Sequence, residues 1–145
     1  MQRGKKDLRM NGVCNMRKRL SGFRKEIVSL LDVRGIPLSV KDIHSACGES
    51  DLSTVYRALE YLESAGMVKA LAIPCGCGQS RYYYTGKDHI HYLHCEECHS
   101  FIPIPCSGMK KREEDIRSNY NFDVTEHVLL FFGKCGSCKA RNKFL

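Results

Sequence analysis

Residues 52–68, Leu52-Ser53-Thr54-Val55-Tyr56-Arg57-Ala58-Leu59-Glu60-Tyr61-Leu62-Glu63-Ser64-Ala65-Gly66-Met67-Val68, hold the pattern from which the fold is read. Val55, Ala58, Leu59 and Leu62 recur on one helical face, Ser53 or Thr54 can cap the start, and Gly66 ends the run. Directly after it, Met67 to Ile73 reads as a strand, Pro74-Cys75-Gly76-Cys77-Gly78 as a turn, and Ser80 to Tyr84 as a returning strand. A helix running straight into a hairpin suggests a winged helix.

Two shorter helical patterns precede it. Phe23, Ile27, Leu30 and Leu31 follow a possible cap at Ser21; Val40, Ile43 and Cys47 follow Pro37 and a cap at Ser39, with Asp42 favourably placed in the first turn. Three short helices with tight connections are the makings of a helix-turn-helix. The winged domain, residues 1–85, should close at a hinge, residues 86–88, where Gly86 lies among polar neighbours.

Beyond the hinge the pattern changes to strands at His89 to His94, Phe101 to Ile104 and Asp123 to Phe132, with one helix from about Ser107 to Asn119. The predicted fold class is α+β: a winged helix-turn-helix followed by a small α/β module, residues 89–145. Such a module has little core and would benefit from a metal.

The chain has 145 residues, nine of them cysteine, and a net charge of +7. It carries no apolar run long enough to span a bilayer and no basic-then-apolar leader, so the expectation is a soluble, cytoplasmic chain with no membrane partner. In a reducing compartment, paired Cys-x-x-Cys spacings point to metal rather than to disulfides. Residues 1–25 hold nine Lys or Arg against Asp7 alone, a balance of +8, so the other 120 residues sum to −1. This basic segment, with Arg19 and Arg24 near its end, could neutralise phosphates or could be a solvated tail.

Cys95-x-x-Cys98 and Cys135-x-x-Cys138 supply four thiolates in two clips, separated by 36 residues. Two intervening residues let both sulfurs of a clip reach one ion at about 2.3 Å, and two clips complete a tetrahedral shell, so a structural Zn2+ is expected here. His89-x-His91 falls on the first strand of the module and His127 on the last, which proposes a second metal site; imidazoles suit zinc, iron, nickel and copper, so the residues do not name the ion. Met109, Ile116 and Tyr120 mark the inward face of the helix, and Glu113 in the middle of that stripe is the preferred fourth ligand, with Cys106 as its rival. His94 and His99 read as neighbours of the first clip, His44 as surface, and Cys14 and Cys47 as incidental.

In this order the motifs resemble the ferric uptake regulator family, from about Ser21 to Cys138. The likeness is carried by Ser53-Thr54-Val55-Tyr56-Arg57-Ala58-Leu59, Gly66-Met67-Val68, Gly78-Gln79-Ser80-Arg81-Tyr82, His89-x-His91 leading into Cys95-x-x-Cys98, and His127 before Gly133-x-Cys135-x-x-Cys138. The resemblance implies a homodimer whose winged helices bind a palindromic double-stranded DNA operator when a regulatory divalent metal is loaded, Zn2+ or Fe2+ first and Mn2+ or Ni2+ after them, repressing metal-uptake or stress genes. By the same likeness Tyr56 and Arg57 face DNA, and Thr54, Arg24, Arg19 and Arg81 join the DNA-binding set.

The departures are as informative. A hinge sensing site found in many relatives would fall on Pro37, Tyr83 or Thr85, Ile90 and Tyr92, none of them a usual ligand. In the second family site His89, His91 and His127 match, but the glutamate position falls on Lys110, which leaves Glu113 or Cys106 to complete the set. Cys75 and Cys77 at the wing turn match nothing in the pattern. Two other readings remain open: a peroxide or redox sensor of the same fold, and a zinc-dependent hydrolase using Glu113 as general base.

Overall fold

The computed structural model describes residues 21–48, 51–75 and 78–141. The expectations for Cys14, Arg19 and the rest of the basic segment up to residue 20, and for the wing turn at Gly76 and Cys77, lie outside the described residues. So does the side chain of Cys75. The chain divides into two compact units, Met1–Gly86 and Lys87–Leu145.

The first unit runs α1 (Gly22–Arg34), β1 (Leu38–Ser39), α2 (Val40–Cys47), α3 (Leu52–Ser64), β2 (Lys69–Cys75) and β3 (Gly78–Tyr84). The three helices follow the apolar periodicities. Ser39 and Asp42 form a reciprocal capping box, Ser39 N–H donating to Asp42 Oδ2 at 3.0 Å and Asp42 N–H to Ser39 Oγ at 3.1 Å. The start of α3 is a correction: its cap is Asp51, whose Oδ1 accepts from Thr54 N–H at 2.9 Å. Ser53, expected as the cap, instead gives its hydroxyl proton to the same carboxylate. A carboxylate answers the positive end of the helix better than a hydroxyl does. The strands have order β1-β3-β2, all antiparallel, and the two-residue β1 was too short to show in the sequence.

Ile27 and Leu31 of α1, Ile43 of α2, and Val55, Leu59 and Leu62 of α3 are fully enclosed, with Met67, Val68 and Tyr83 closing the core from the wing side. Each such aliphatic side chain contributes roughly 1.5–3 kcal/mol by leaving water.

The second unit runs β4 (Ile90–Cys95), β5 (Phe101–Pro105), α4 (Met109–Tyr120), β6 (Leu130–Gly133) and α5 (Gly136–Arg141). Its sheet has order β5-β4-β6, with β4 antiparallel to β5 and parallel to β6. The parallel pair requires a crossover, and α4 lies within it. The long strand expected from Asp123 to Phe132 is a correction: only Leu130–Gly133 is extended, and residues 121–129 form no regular element. His127 therefore comes from a loop rather than from an alternating strand, and His89 lies just before β4. Helix α5 was not foreseen. On α4 the expected stripe is present, since Met109, Glu113 and Ile116 are its half-covered residues, but Tyr120 is 77% exposed and no residue of the helix is buried.

Leu59→Ala should destabilise the first unit by about 2–5 kcal/mol, because the enclosed side chain leaves a cavity; a urea titration followed by helical circular dichroism measures it. Hydrogen bonds from the Ser53 hydroxyl first, then from Thr54 N–H, hold the Asp51 carboxyl below its usual range. A folded-state pKa that is depressed gives stabilisation that is complete above the unfolded value and lost as pH falls through the folded one. The melting temperatures of the wild-type chain and Asp51→Asn should thus differ most near neutrality and converge below about pH 4.

Candidate metal centres and nucleic-acid interface

The register of β4 builds the first cluster. Cys95, the last residue of β4, pairs with Gly133, the last of β6, and Glu96 N–H donates to Gly133 O at 2.8 Å. Because the two strands are parallel, both clips leave the sheet at the same end. The four sulfurs of Cys95, Cys98, Cys135 and Cys138 lie within 4.8 Å of one another, and Cys98 Sγ is 3.7 Å from Cys135 Sγ. A tetrahedral shell with metal–sulfur bonds near 2.3 Å has sulfurs about 3.8 Å apart.

Donors that sequence reasoning missed support these sulfurs. Cys135 N–H points at Cys95 Sγ at 3.3 Å, and the Arg141 guanidinium on α5 donates to Cys138 Sγ at 2.8 Å. The signal for Arg141 was its place three residues after Cys138, one turn along a helix that had not been expected. Backbone N–H groups of Cys98 and Cys135 pull the Cys95 thiol down to about 6, while burial pushes the Cys138 thiol up to about 12 against the pull of Arg141. Four thiolates so close repel one another, and a divalent cation is the group that lets all four ionise together. The donor set fits a closed, four-coordinate metal site.

The second cluster lies at the other end of β4. His89, His91, Cys106 and His127 bring one ligand atom each to within 4.8 Å of the others. His127 Nε2 is 2.8 Å from His89 Nε2, 3.1 Å from His91 Nε2 and 3.4 Å from Cys106 Sγ. Glu113, the preferred fourth ligand from the sequence, does not enter this group: its Oε1 accepts from His127 Nδ1 at 2.8 Å, on the far side of the ring. A carboxylate can only accept there, so His127 carries its proton on Nδ1 and turns the Nε2 lone pair toward the cluster. Burial, then the charges of His127 and His89, keep the His91 imidazole below its usual pKa and so in its neutral, ligating form.

The antiparallel register accounts for the positions of Cys106 and Glu113. Ile90 pairs with Pro105, so the next step outward sets Cys106 opposite His89, whereas Glu113 arrives a turn into α4 beside the loop histidine. A cavity of about 500 Å³ lined by His89, Cys106, Lys110, Glu113 and His127 opens on this cluster. Cys138 of the other cluster is fully enclosed. Cavities border both clusters, and of the four cysteines Cys98 is exposed and Cys135 half-buried.

The positions not expected to ligate metal stay apart from both clusters' donor sets. Pro37, Tyr83 and Tyr92 are buried within their own units. His94 is buried and packs on Phe101, with ring centroids 4.8 Å apart, while His99 is exposed in a left-handed turn after the first clip. His44 is half-buried rather than on the surface, and Cys47 is half-buried with its thiol pushed up by burial.

On α3 the face opposite the core carries Tyr56, 52% exposed, and Arg57, whose guanidinium rests on Ser53 Oγ at 3.1 Å. Arg24 of α1 stacks its guanidinium 3.8 Å from the centroid of the Tyr61 ring. Ser21, Arg24, Thr54 and Arg57 line a groove of about 300 Å³ between the starts of α1 and α3. Arg81 is otherwise engaged: it pairs with Glu63 at the end of α3 at 2.7 Å, an exposed ion pair joining the wing to the helix.

A sequence profile described as the ferric uptake regulator family matches residues 15–132 of the chain. A ferric uptake regulation protein of Vibrio cholerae is 33% identical over 89 residues, 61% of this chain; the chain spans 58% of that relative's length. A peroxide-responsive repressor of Staphylococcus saprophyticus is 26% identical over 136 residues, covering 91% of this chain and 86% of the relative. Among solved structures, a ferric uptake regulator of Vibrio cholerae, described as showing structural rearrangement of its DNA-binding domains, superimposes with a TM-score of 0.67. That likeness has 26% identity and covers 80% of this chain and 91% of the other.

Glu113→Gln keeps the size of the side chain but removes the charge that holds the His127 tautomer. It should weaken divalent-metal binding at the histidine cluster by about 10–100-fold. Competition with a chelating dye measures this, and metal held by the four cysteines should be unchanged.

Proposed function

Because the chain belongs to the ferric uptake regulator family, we propose that it is a metal-responsive transcriptional repressor, binding a palindromic DNA operator as a homodimer when its exchangeable metal site is loaded. The observation that carries this reading is the pairing of a four-cysteine cluster with a histidine cluster that opens on a cavity, downstream of a helix that turns Tyr56 and Arg57 to solvent. Four thiolates suit a permanent structural Zn2+, and the cavity beside the histidines gives an exchanging ion a way in. We assign DNA binding to residues 1–85, the hinge to residues 86–88 and dimerisation with metal binding to residues 89–145, in the cytoplasm. No helix among the described residues is long and apolar enough to cross a membrane.

The DNA assignment is supported by the groove between Arg24, Thr54 and Arg57. Two guanidiniums there can take phosphate oxygens while the Tyr56 ring reaches apolar base edges. Arg81, tied to Glu63, contributes by holding the wing against α3. The homodimer is supported by the second unit's surface. Strand β6 lies at the edge of its sheet with Phe131 and Phe132 exposed, and Phe122 and Val128 of the preceding loop are each 60% exposed. An apolar edge of this kind calls for a partner strand or surface.

The similar proteins are named as regulators, not enzymes. A peroxide-sensing regulator keeps one supporting observation, the Cys106 thiol against His127, together with the staphylococcal relative.

Fluorescence anisotropy with an AT-rich palindromic duplex tests the proposal. Binding should require the exchangeable metal and fall steeply with added salt. Arg57→Ala should weaken it by about 5- to 150-fold, equivalent to the roughly 1–3 kcal/mol of a specific contact, and leave the metal content unchanged. Equal affinity with and without a chelator that empties the histidine cluster would refute the metal switch.

A further inference from the structure

Lys110 stands where the family resemblance asks for a carboxylate ligand. It lines the cavity beside the histidine cluster and offers no lone pair while protonated. Glu113, the other carboxylate within reach, is turned to the far nitrogen of His127. Cys106 Sγ, 3.4 Å from His127 Nε2, takes the remaining position. The converging donors are therefore three imidazole nitrogens and one sulfur, with no carboxylate oxygen in the group.

We propose that His89, His91, Cys106 and His127 form a four-coordinate site of three nitrogens and one sulfur that selects Zn2+ over Mn2+ and Fe2+, the selection coming from the Cys106 sulfur. This rests on reading the cluster as the exchangeable metal site. A thiolate is a soft ligand suited to zinc, whereas manganese favours oxygen donors, and ferrous ion beside imidazoles favours a carboxylate and further open positions. In a tetrahedral zinc shell, nitrogens lie about 3.3 Å apart and a nitrogen and a sulfur about 3.6 Å apart. The two nitrogen separations from His127, 2.8 and 3.1 Å, and the sulfur separation, 3.4 Å, need an expansion of at most about half an ångström to match.

Charge points the same way. One thiolate in the group and one carboxylate behind His127 balance a divalent ion without a further anion. Cys106 follows directly on Pro105, the last residue paired in the β4/β5 ladder, which brings it beside His89.

Cobalt(II) chloride is the probe, added to the full chain with zinc retained in the four-cysteine cluster and checked by elemental analysis. The first equivalent should give the visible bands of a four-coordinate ion and a near-ultraviolet thiolate-to-cobalt charge-transfer band. Cys106→Ser should lose the charge-transfer band and bind Zn2+ at least about 100-fold more weakly, while Cys47→Ser keeps both properties. Cys106→Asp should narrow the preference for Zn2+ over Mn2+ by at least about tenfold.

A wild-type cobalt spectrum without the thiolate band would overturn the proposal, and so would unchanged metal affinities in Cys106→Ser. The wild-type spectrum decides the ligand even if a variant misfolds. Operator binding measured in parallel separates the two readings. Metal-dependent DNA binding without a thiolate band would sink the sulfur-containing site and spare the repressor, and a thiolate band with no effect of metal on DNA would do the reverse.

Discussion

The registers of strand β4 against its two neighbours are the constraint on which both metal clusters depend. At its C-terminal end the parallel pairing with β6 joins residues 38 apart, Cys95 to Gly133, and so delivers the two cysteine clips to one place. The same offset carried back to His89 leads to His127, and the antiparallel register with β5 carried one step outward leads to Cys106. A slip of one residue on either side would turn alternate side chains to the wrong face and dissolve a cluster. One six-residue strand thus sets the positions of eight candidate ligands.

The two clusters differ in ways that follow from their ends of the strand. Arg141 of α5 reaches back to the Cys138 sulfur, and Cys95 and Cys138 lie among the few buried residues described in a unit with hardly any apolar core. Such a unit gains from a metal as a larger one would from its interior. The histidines are gathered from a strand, a strand end and an irregular loop, next to an open cavity. In the proposed function the four thiolates hold the lasting ion and the histidines the exchanging one.

Much of this was legible before folding. The apolar stripe of Val55, Ala58, Leu59 and Leu62, the Ser39 cap, and the Cys-x-x-Cys spacings are local features, set by a helical turn or by the reach of two side chains. The errors have local causes too. Asp51 outcompeted Ser53 for the start of α3 because a charged acceptor serves unpaired N–H groups better. The alternation from Thr125 to Phe131 suggested a long strand, but β4 has only six residues and its pairing with β6 covers only Leu130–Gly133.

By itself the sequence determined the helices of the winged unit, the two clips and the three histidines, since each depends on residues close together along the chain. Which atoms meet was decided by tertiary structure. Glu113 and Cys106 were rivals on paper, and choosing between them needs the register of β5 on β4 and the angle at which α4 leaves Gly108. The ion pair of Arg81, one of the residues expected at DNA, with Glu63 of α3 at 2.7 Å likewise appears only in the folded chain. Long-range pairing fixes such distances to a few tenths of an ångström, and metal ligation and ion pairing are sensitive on that scale.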